Sequence, residues 1–346
     1  MDWKESLPGA LLPWYESNKR ELPWRADREP YHVWLSEIML QQTRVEAVKS
    51  YYARFLAELP TIQDLARCDD EKLHKLWEGL GYYSRVRNLK KAAQVIVEKH
   101  GGTFPQNYAD IRALPGIGDY TAGAICSICF DLPTPAVDGN VLRVMARLEN
   151  DPTPIDLPAR KKEVQHRLAE IYPTQAGAFT QALMELGATI CGPNRAPACE
   201  SCPCRDFCKA RQLGTADALP VKSPRKPRRQ EELTVFILRC GHRYALEKRP
   251  SSGLLAGLWQ FPNVSGRLSA QEATVWASEK GMKPRDIRRM VEKEHIFTHI
   301  QWNMLGVYLE VEEVSEDYQW FTEAEVNSGA ALPTAFRQFW EEREYV

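Results

Sequence analysis

The sequence predicts a multidomain protein, with an all-α region over roughly the first two thirds of the chain and a separate α+β domain after it. Apolar residues recur at helical spacing up to about residue 230, and no alternating strand pattern competes there. A basic stretch interrupted by prolines follows at 214–230 and has the composition of a linker. At 346 residues the chain also exceeds the size at which a single core stops growing, about 250–300 residues. We therefore predict domains at 1–213 and 231–346, joined by that linker.

The first predicted helices carry a candidate acid. One apolar stripe predicts a helix near the N-terminus, formed by Leu7, Leu11, Leu12 and Tyr15. Proline is tolerated as a first helical residue, and Pro30 is followed by a second apolar stripe, formed by Val33, Trp34, Ile38 and Leu40. Glu37 lies at the edge of that stripe, where burial would raise the pKa of its carboxyl group towards neutrality. A solvated glutamate, or one paired with an arginine, is the alternative.

Further helices are predicted at 45–56, 71–78 and 84–97, and the loop before the last of these is unusual. It reads Gly79-Leu80-Gly81-Tyr82-Tyr83, and the helix after it carries four cations, Arg85, Arg87, Lys90 and Lys91. Aromatic rings between glycines, beside clustered cations, are suited to phosphate neutralisation and to a ring that wedges into a base stack. A helix C-terminus with tyrosines packed inward is the alternative.

The stretch from Leu114 to Arg143 combines a phosphate-binding turn with a carboxylate. Leu114-Pro115-Gly116-Ile117-Gly118 precedes a helix that contains Tyr120, so a tight hairpin leads to a helix N-terminus, where N–H groups and the helix dipole favour an anion. About twenty residues on, Asp138-Gly139-Asn140 precedes another apolar-periodic helix. A backbone-binding turn close in sequence to a carboxylate indicates chemistry on nucleic acid.

Cysteine usage predicts a metal centre. Five of the nine cysteines lie between Cys191 and Cys208, and in a cytosolic protein such clustering favours metal ligation over disulfides. The candidate ligands Cys191, Cys199, Cys202 and Cys208 are separated by seven, two and five residues. Four thiolates hold either zinc or an iron–sulfur cluster, and this spacing does not separate the two.

Charge and hydropathy exclude some classes of protein. The chain contains no run of about 18 apolar residues, and its N-terminus lacks the basic-then-apolar order of a signal peptide. We therefore expect a cytosolic protein that does not insert into membranes. A net charge of −1 argues against a uniformly basic DNA-binding protein but leaves room for local basic patches.

The last third of the chain reads as an independent α+β domain of about 115 residues. Strands are predicted from alternating and β-branched runs at 233–238, 244–247, 258–261 and 300–311. Helices are predicted near 271–279 and 335–342.

Several long motifs, in order along the chain, resemble those of adenine DNA glycosylases of the MutY type, within the helix-hairpin-helix base-excision family. They are Ser36-Glu37-Ile38-Met39-Leu40-Gln41-Gln42-Thr43, Gly79–Tyr83, Leu114–Gly118, Val137–Arg143 and the cysteine cluster. The resemblance implies an all-α glycosylase with a six-helix lobe and a [4Fe-4S] cluster lobe. It also implies a monomer in the bacterial cytoplasm that binds double-stranded DNA containing adenine opposite 8-oxoguanine or guanine.

The resemblance also implies roles for single residues. Glu37 would protonate the adenine, Asp138 would stabilise the oxocarbenium-like sugar, and Tyr120 and Asn140 would position these groups. Seven residues would contact DNA, with the first two as wedges: Gln42, Tyr82, Leu114, Gly116, Gly118, Arg85 and Arg143. Relatives that cut the DNA backbone have a lysine after the residue that corresponds to Asp119. This chain has Tyr120 there, so a monofunctional glycosylase is expected.

The family's cluster is [4Fe-4S], with Cys191, Cys199, Cys202 and Cys208 as the implied ligands. The family usually has six residues between the first two cysteines, and this chain has seven. Cys204 is therefore an alternative ligand.

The C-terminal domain resembles Nudix hydrolases through residues 250–262, but Glu272 and Glu279 do not form the paired glutamates that hold the metals of a working Nudix enzyme. Recognition of 8-oxoguanine is implied instead, through Phe297, Thr298 and His299. Three other functions are alternatives: a pyrimidine-specific glycosylase with lyase activity, a DNA-damage sensor without catalysis, and a nucleotide pyrophosphohydrolase.

Overall fold

The structure is a computed structural model that describes residues 2–193, 196–224 and 227–343. The chain forms two compact units. The first contains residues 1–67 and 88–225, and the second contains residues 68–87 and 226–346. The division at 213 and 231 made from the sequence stays a prediction.

Twelve α-helices precede the first strand in the described residues. They are α1 (Trp3–Asn18), α2 (Pro30–Leu40), α3 (Val45–Glu58), α4 (Ile62–Arg67), α5 (Asp70–Leu76), α6 (Ser84–His100), α7 (Tyr108–Ala113), α8 (Asp119–Phe130), α9 (Gly139–Glu149), α10 (Pro158–Ala169), α11 (Ala176–Thr189) and α12 (Lys209–Leu213). Short 3-10 turns lie at Pro23–Arg25, Cys199–Ser201 and Ala216–Ala218.

Helix α11 lies at the centre of the first unit, in contact with α1, α8 and α9. Small residues permit these close approaches. A β-carbon on Gly187 of α11 would lie 2.6 Å from the Asn140 side chain, and one on Gly123 of α8 would lie 2.5 Å from a backbone carbonyl of Pro135. The loops before α8 and α9 are therefore held against the middle of the unit.

The second unit contains a seven-stranded sheet. Its strands are β1 (Arg229–Cys240), β2 (Arg243–Lys248), β3 (Trp259–Gln260), β4 (Asn263–Ser265), β5 (Pro284–Ile296), β6 (Ile300–Val311) and β7 (Gln319–Thr322). The order along the sheet is β3-β2-β1-β6-β5, while β4 pairs with β1 and β7 with β2. The β1–β6 pair is parallel, with Leu233 opposite Met304, and the other pairs are antiparallel.

Three helices accompany this sheet: α13 (Ala270–Glu279), α14 (Glu323–Ser328) and α15 (Thr334–Glu341). Helix α15 buries Phe336, Phe339 and Trp340 in one apolar core. Helix α13 buries Ala273 and Ala277 in a second core. Two apolar cores, one with each of these helices, make this an α+β unit, as the sequence predicts.

The strand β5 is absent from the sequence-based prediction. It is 13 residues long, pairs only with β6 among the described residues, and has an alternation of exposed and half-buried positions rather than a buried face. Charged residues on an edge strand weaken the apolar alternation on which strand prediction depends. No helix in the described part of the chain is long and apolar enough to cross a membrane.

Candidate active site

Glu37 is a buried carboxylate on α2. This helix begins at Pro30, packs against α3 and α8, and is buried along most of its length. The Glu37 side chain accepts a hydrogen bond of 2.5 Å, at Oε2, from the hydroxyl of Tyr120. The pKa of Glu37 is raised to about 7, chiefly by burial; the bond from Tyr120 lowers the pKa in part, and the nearby charge of Asp138 raises it. Near neutral pH the carboxyl group is therefore divided between its acid and its base form.

Asp138 has a different environment because it is the N-cap of α9. Its Oδ1 accepts the backbone N–H of Val141 at 2.8 Å, and its Oδ2 accepts the Asn140 amide at 2.7 Å. Burial raises the pKa of Asp138, but both hydrogen bonds lower it because they favour the charged form. The carboxylate of Asp138 is thus solvated by the protein, whereas Glu37 accepts a bond from a neutral phenol.

Both carboxylates face one cavity of about 810 Å³ in the first unit. Seven of the residues selected from the sequence line it: Glu37, Gln42, Gly116, Gly118, Tyr120, Asp138 and Asn140. The structure therefore joins three separate motifs at one site. A cavity with a buried and a half-buried carboxylate in unlike environments can perform acid and base chemistry in one step.

The predicted hairpin has the geometry of a phosphate-binding turn. Gly116 has φ 76°, and a β-carbon there would lie 2.6 Å from Asn88, so only glycine fits. Leu114 is buried and accepts the N–H of Ile117. Gly118 is the N-cap of α8 and provides no side-chain cap, so the first N–H groups of α8 are available to an anion.

The two wedge candidates share a backbone feature that the sequence did not reveal. Gln42 has φ 60° and Tyr82 has φ 48°, in the left-handed region that residues with a β-carbon rarely adopt. Both side chains are exposed. Backbone strain of this kind is concentrated at ligand-binding positions.

The predicted lesion-reading residues form a turn between β5 and β6. The Phe297 N–H donates to the Ile300 carbonyl at 2.8 Å, and the Phe297 ring packs edge-on against Trp302 at 4.8 Å. Thr298 and His299 are exposed at the tip of the turn. The hydroxyl of Thr298 is hydrogen-bonded at 3.1 Å to the hydroxyl of Tyr82, which belongs to the same unit.

Two predicted DNA-binding arginines are buried. Arg85 donates to the carbonyls of Leu80 and Gly81, both at 3.0 Å, and burial lowers its pKa to about 10. Arg143 donates to Asn140 at 2.8 Å and to the Cys191 carbonyl at 2.7 Å. Their guanidinium groups hold neighbouring loops in place. A role at phosphates stays a prediction for both.

Four thiols line a second, smaller cavity in the first unit. They are the predicted set, Cys191, Cys199, Cys202 and Cys208. Cys204 is buried in the apolar core beside them. Arg147 donates to the Cys191 sulfur at 3.1 Å, a charge-assisted bond that favours a thiolate. Among the described residues, no three His, Cys, Asp or Glu side chains are placed to hold a single metal ion.

Comparison with known proteins agrees with this geometry. Residues 35–174 match the model of the HhH-GPD superfamily base excision DNA repair proteins, and residues 234–342 match the NUDIX domain. The chain is 36% identical to the adenine DNA glycosylase of Homo sapiens, over 95% of this chain and 72% of that protein. It is 32% identical to the adenine DNA glycosylase of Buchnera aphidicola subsp. Acyrthosiphon pisum (strain APS), over 89% of this chain and 88% of that protein. The chain belongs to the adenine DNA glycosylase family.

The fold of this adenine DNA glycosylase family member resembles those of solved DNA glycosylase structures. A thermostable thymine-DNA glycosylase superposes with a TM-score of 0.56 at 27% identity, over 61% of this chain and 97% of that one. A non-covalent endonuclease III–DNA complex superposes with a TM-score of 0.52 at 24% identity, over 62% and 99%. The predicted family and fold class, a helix-hairpin-helix region followed by a Nudix-like domain, are confirmed, as is the prediction of a base-excision enzyme.

Sequence reasoning missed a charged wall of the cavity in this adenine DNA glycosylase family member. Glu185 of α11 is fully buried and accepts bonds from Arg20 at 2.6 and 3.0 Å and from Arg25 at 2.8 Å. Burial raises the pKa of Glu185, but the two arginines outweigh it and lower the pKa overall. All three residues line the cavity, with Trp24 beside them. The available signal was a lone carboxylate in the apolar run Leu183-Met184-Glu185-Leu186, which requires a buried cation.

Proposed function

We propose that this chain excises adenine mispaired with 8-oxoguanine, or with guanine, from double-stranded DNA by hydrolysis of the N-glycosidic bond. The observation that carries the proposal is the shared cavity of Glu37 and Asp138, in which one carboxyl group has its pKa raised to about 7 and the other accepts two hydrogen bonds that favour its charged form. The same pairing of roles operates in glycoside hydrolysis.

Access to the base requires that it leave the helical stack. The hairpin from Leu114 to Gly118 and the N-terminus of α8 would bind the DNA backbone through N–H groups. Gln42 and Tyr82 would fill the space that the extruded base leaves, which offsets the energy of unstacking. Their left-handed backbone and their exposure support this assignment.

Chemistry then follows from the two carboxylates. Glu37 donates a proton to a ring nitrogen of adenine, the bond between the sugar C1′ and the base breaks, and the neutral base leaves. The carboxylate of Asp138 stabilises the cationic sugar. Water adds at C1′ and its proton returns to Glu37, which restores the acid. Tyr120 orients Glu37, and Asn140 orients Asp138, by the hydrogen bonds described above.

The charged wall supplies a partner for the adenine edges. Arg20 and Arg25 offer N–H donors to ring nitrogens, and Glu185 offers an acceptor to an exocyclic amine. Trp24 provides an aromatic surface in the same cavity. A site built from fixed donors and acceptors rejects bases that leave them unpaired.

We propose that the 8-oxoguanine base is read by the turn Phe297-Thr298-His299. Two exposed polar side chains at the tip of a turn, next to the exposed ring of Tyr82, support this assignment. The domain would serve recognition, since Glu272 and Glu279 are the acidic residues of α13 and Glu272 is occupied as a capping residue.

We also propose that Cys191, Cys199, Cys202 and Cys208 hold a [4Fe-4S] cluster. Four thiols around one cavity, with Arg147 donating to a sulfur, fit a group that binds thiolates. When bound, such a cluster would cross-link the four cysteines and so join the two ends of the segment that carries them. Arg143 and Arg147 would hold Cys191 in position through their hydrogen bonds to its carbonyl and its sulfur.

The decisive experiment compares three duplexes: adenine opposite 8-oxoguanine, adenine opposite thymine, and an oxidised pyrimidine. Base release from the first alone, with strand breaks that need alkali, is expected because Tyr120 offers no amine to attack the sugar. Strand breaks without alkali, or an efficient covalent enzyme–DNA adduct after borohydride treatment, would contradict the monofunctional mechanism. Release of the pyrimidine would contradict the substrate assignment.

A further inference from the structure

A short segment of the helical sequence belongs structurally to the Nudix-like unit. Residues 68–87 lie within the stretch that matches the glycosylase family, yet they form one compact unit with residues 226–346. This segment contains α5 and the loop that carries Tyr82. Its attachment therefore determines where Tyr82 lies relative to Thr298.

The loop of Tyr82 is internally fixed. The Trp77 indole N–H donates to the Gly81 carbonyl at 3.0 Å. Arg85 donates to the carbonyls of Leu80 and Gly81, and its guanidinium lies 5.3 Å from the Trp77 ring and 5.6 Å from the Tyr82 ring. Tyr82 consequently moves with the loop as a whole.

One buried carboxylate ties this loop to the Nudix-like body. Glu78 comes four residues before Tyr82, and its side chain is only 11% exposed. Its Oε1 accepts the backbone N–H of Leu332 at 2.9 Å and the Arg337 guanidinium at 2.5 Å. Its Oε2 pairs with Lys75 at 2.9 Å. Three donors converge on this carboxylate, and two of them come from the start of α15 or the residues just before it.

Helix α15 is a rigid base for such an attachment. Phe336, Phe339 and Trp340 are buried around Arg337 in the sequence, so the helix cannot shift without disturbing the core. The chain of contacts thus runs from the core of the domain through Arg337 and Glu78 to the loop, and from the loop through Tyr82 to Thr298.

We propose that Glu78 and Arg337 are positioning residues that hold Tyr82 against Thr298 and thereby set the preference for 8-oxoguanine over guanine opposite adenine. The proposal rests on the lesion-reading role proposed above for the turn. In this proposal neither Glu78 nor Arg337 contacts DNA. A displacement of about 1 Å in a positioning contact is sufficient to change rates severalfold, up to about 100-fold.

The test measures kcat/KM of the full chain on adenine opposite 8-oxoguanine and on adenine opposite guanine. Arg337→Met removes the charge but keeps the apolar stem. We expect the ratio of the two kcat/KM values to fall severalfold, by no more than the roughly fivefold loss expected from removing the Tyr82–Thr298 hydrogen bond itself, through loss on the 8-oxoguanine duplex alone. Arg337→Lys retains a donor for Glu78 and should recover the ratio to within about twofold.

A matched control is available in the same unit. Glu71 and Lys248 also join the segment to the Nudix-like body, at 3.1 Å, but their side chains are 53% and 45% exposed. Lys248→Met should leave the ratio unchanged because exposed pairs contribute little. If Arg337→Met fails to fold, Glu78→Gln provides the second variant, since its amide oxygen still accepts the Leu332 N–H.

A double variant tests the route of the effect. Tyr82→Phe removes the hydroxyl that bonds to Thr298, so adding Arg337→Met to Tyr82→Phe should lower the ratio no further. Equal losses on both duplexes, an unchanged ratio, or fully additive losses would each overturn the positioning role. Absence of any 8-oxoguanine preference in the unaltered chain would instead refute the proposed lesion reading, so the two failures are distinguishable.

Discussion

The cavity proposed as the active site of the first unit and the turn proposed to read the lesion in the second are built in opposite ways. The cavity depends on carboxylates whose pKa values are raised by burial, at Glu37 and Asp138. The turn depends on exposed side chains at the end of a strand pair, at Thr298 and His299. In the cavity, carboxylates are removed from water at a cost in folding free energy, whereas the turn leaves its hydrogen-bonding groups exposed to solvent.

Because of this difference, we expect the cavity to determine the rate of base release and the turn to determine the preference between mispairs. Groups that are desolvated before substrate arrives act strongly on a charged transition state, because little reorganisation remains. Groups on an exposed turn make ordinary hydrogen bonds, each of which contributes about 0.5–1.5 kcal/mol. Substitutions in the cavity should therefore change rates by orders of magnitude, and substitutions at the turn should change preferences severalfold.

The largest effect is expected at the acid. Glu37→Gln removes the transferable proton but preserves shape, so base release should fall at least about 1000-fold while DNA binding is retained. Single-turnover kinetics and a binding titration on the same duplex measure both. Glu29→Gln, at the exposed start of α2, is the matched control and should leave both unchanged. Unaltered turnover in Glu37→Gln would refute the acid assignment.

The next effect is on stability, at the charged wall. Glu185→Gln leaves Arg20 and Arg25 without their anion and should cost about 3 kcal/mol at pH 7, the lower end for a buried ion pair because the Arg20 side chain is 37% exposed. The folded-state pKa of Glu185 is lowered, so its stabilisation is complete above its unfolded value and is lost as pH falls below about 4. Urea unfolding of both proteins at several pH values tests this. A difference in stability that persists undiminished at low pH would contradict the ion-pair explanation.

The pH dependence of the chemical step gives a smaller effect. Since the pKa of Glu37 is about 7, the rate should fall about tenfold for each pH unit above that value. Single-turnover rates between pH 6 and pH 9 measure the profile.

The titration of Glu37 should also make the free energy of unfolding depend on pH. The folded-state pKa of Glu37 lies above its unfolded value, so the folded protein binds the proton more tightly and stability decreases as pH rises from about 4.5 to 7. Glu37→Gln should lack this part of the decrease, which amounts to about 3 kcal/mol. An identical decline in the variant would place the titration at another residue.

The smallest effect is expected at the turn. Thr298→Val removes the hydroxyl next to Tyr82, and we expect about a fivefold loss of preference for 8-oxoguanine over guanine with little change in the rate on guanine. Thr298→Ser keeps the hydroxyl and should behave as the original. If Thr298→Val retains the original preference for 8-oxoguanine over guanine, the lesion is read by other groups.

Local patterns carried much of the prediction. The helices, the strand at 300–311 and the separate α+β unit follow from periodicity. Glu37 and Asp138 stand out because Glu37 interrupts an apolar helix and Asp138 precedes one. Contacts between distant residues did not follow. Glu185 lies 165 residues from Arg20, and Tyr82 lies 216 residues from Thr298. Pairing at such separations is set by tertiary packing, which no local pattern encodes.

The position of Asp138 at the start of α9 has a consequence for substitutions at this residue. Its side chain closes the first turn of the helix, and asparagine is as effective as aspartate in that task. Under the proposed mechanism, Asp138→Asn would therefore give a protein that is folded but inactive. Such a protein would still bind the DNA sites that it cannot process.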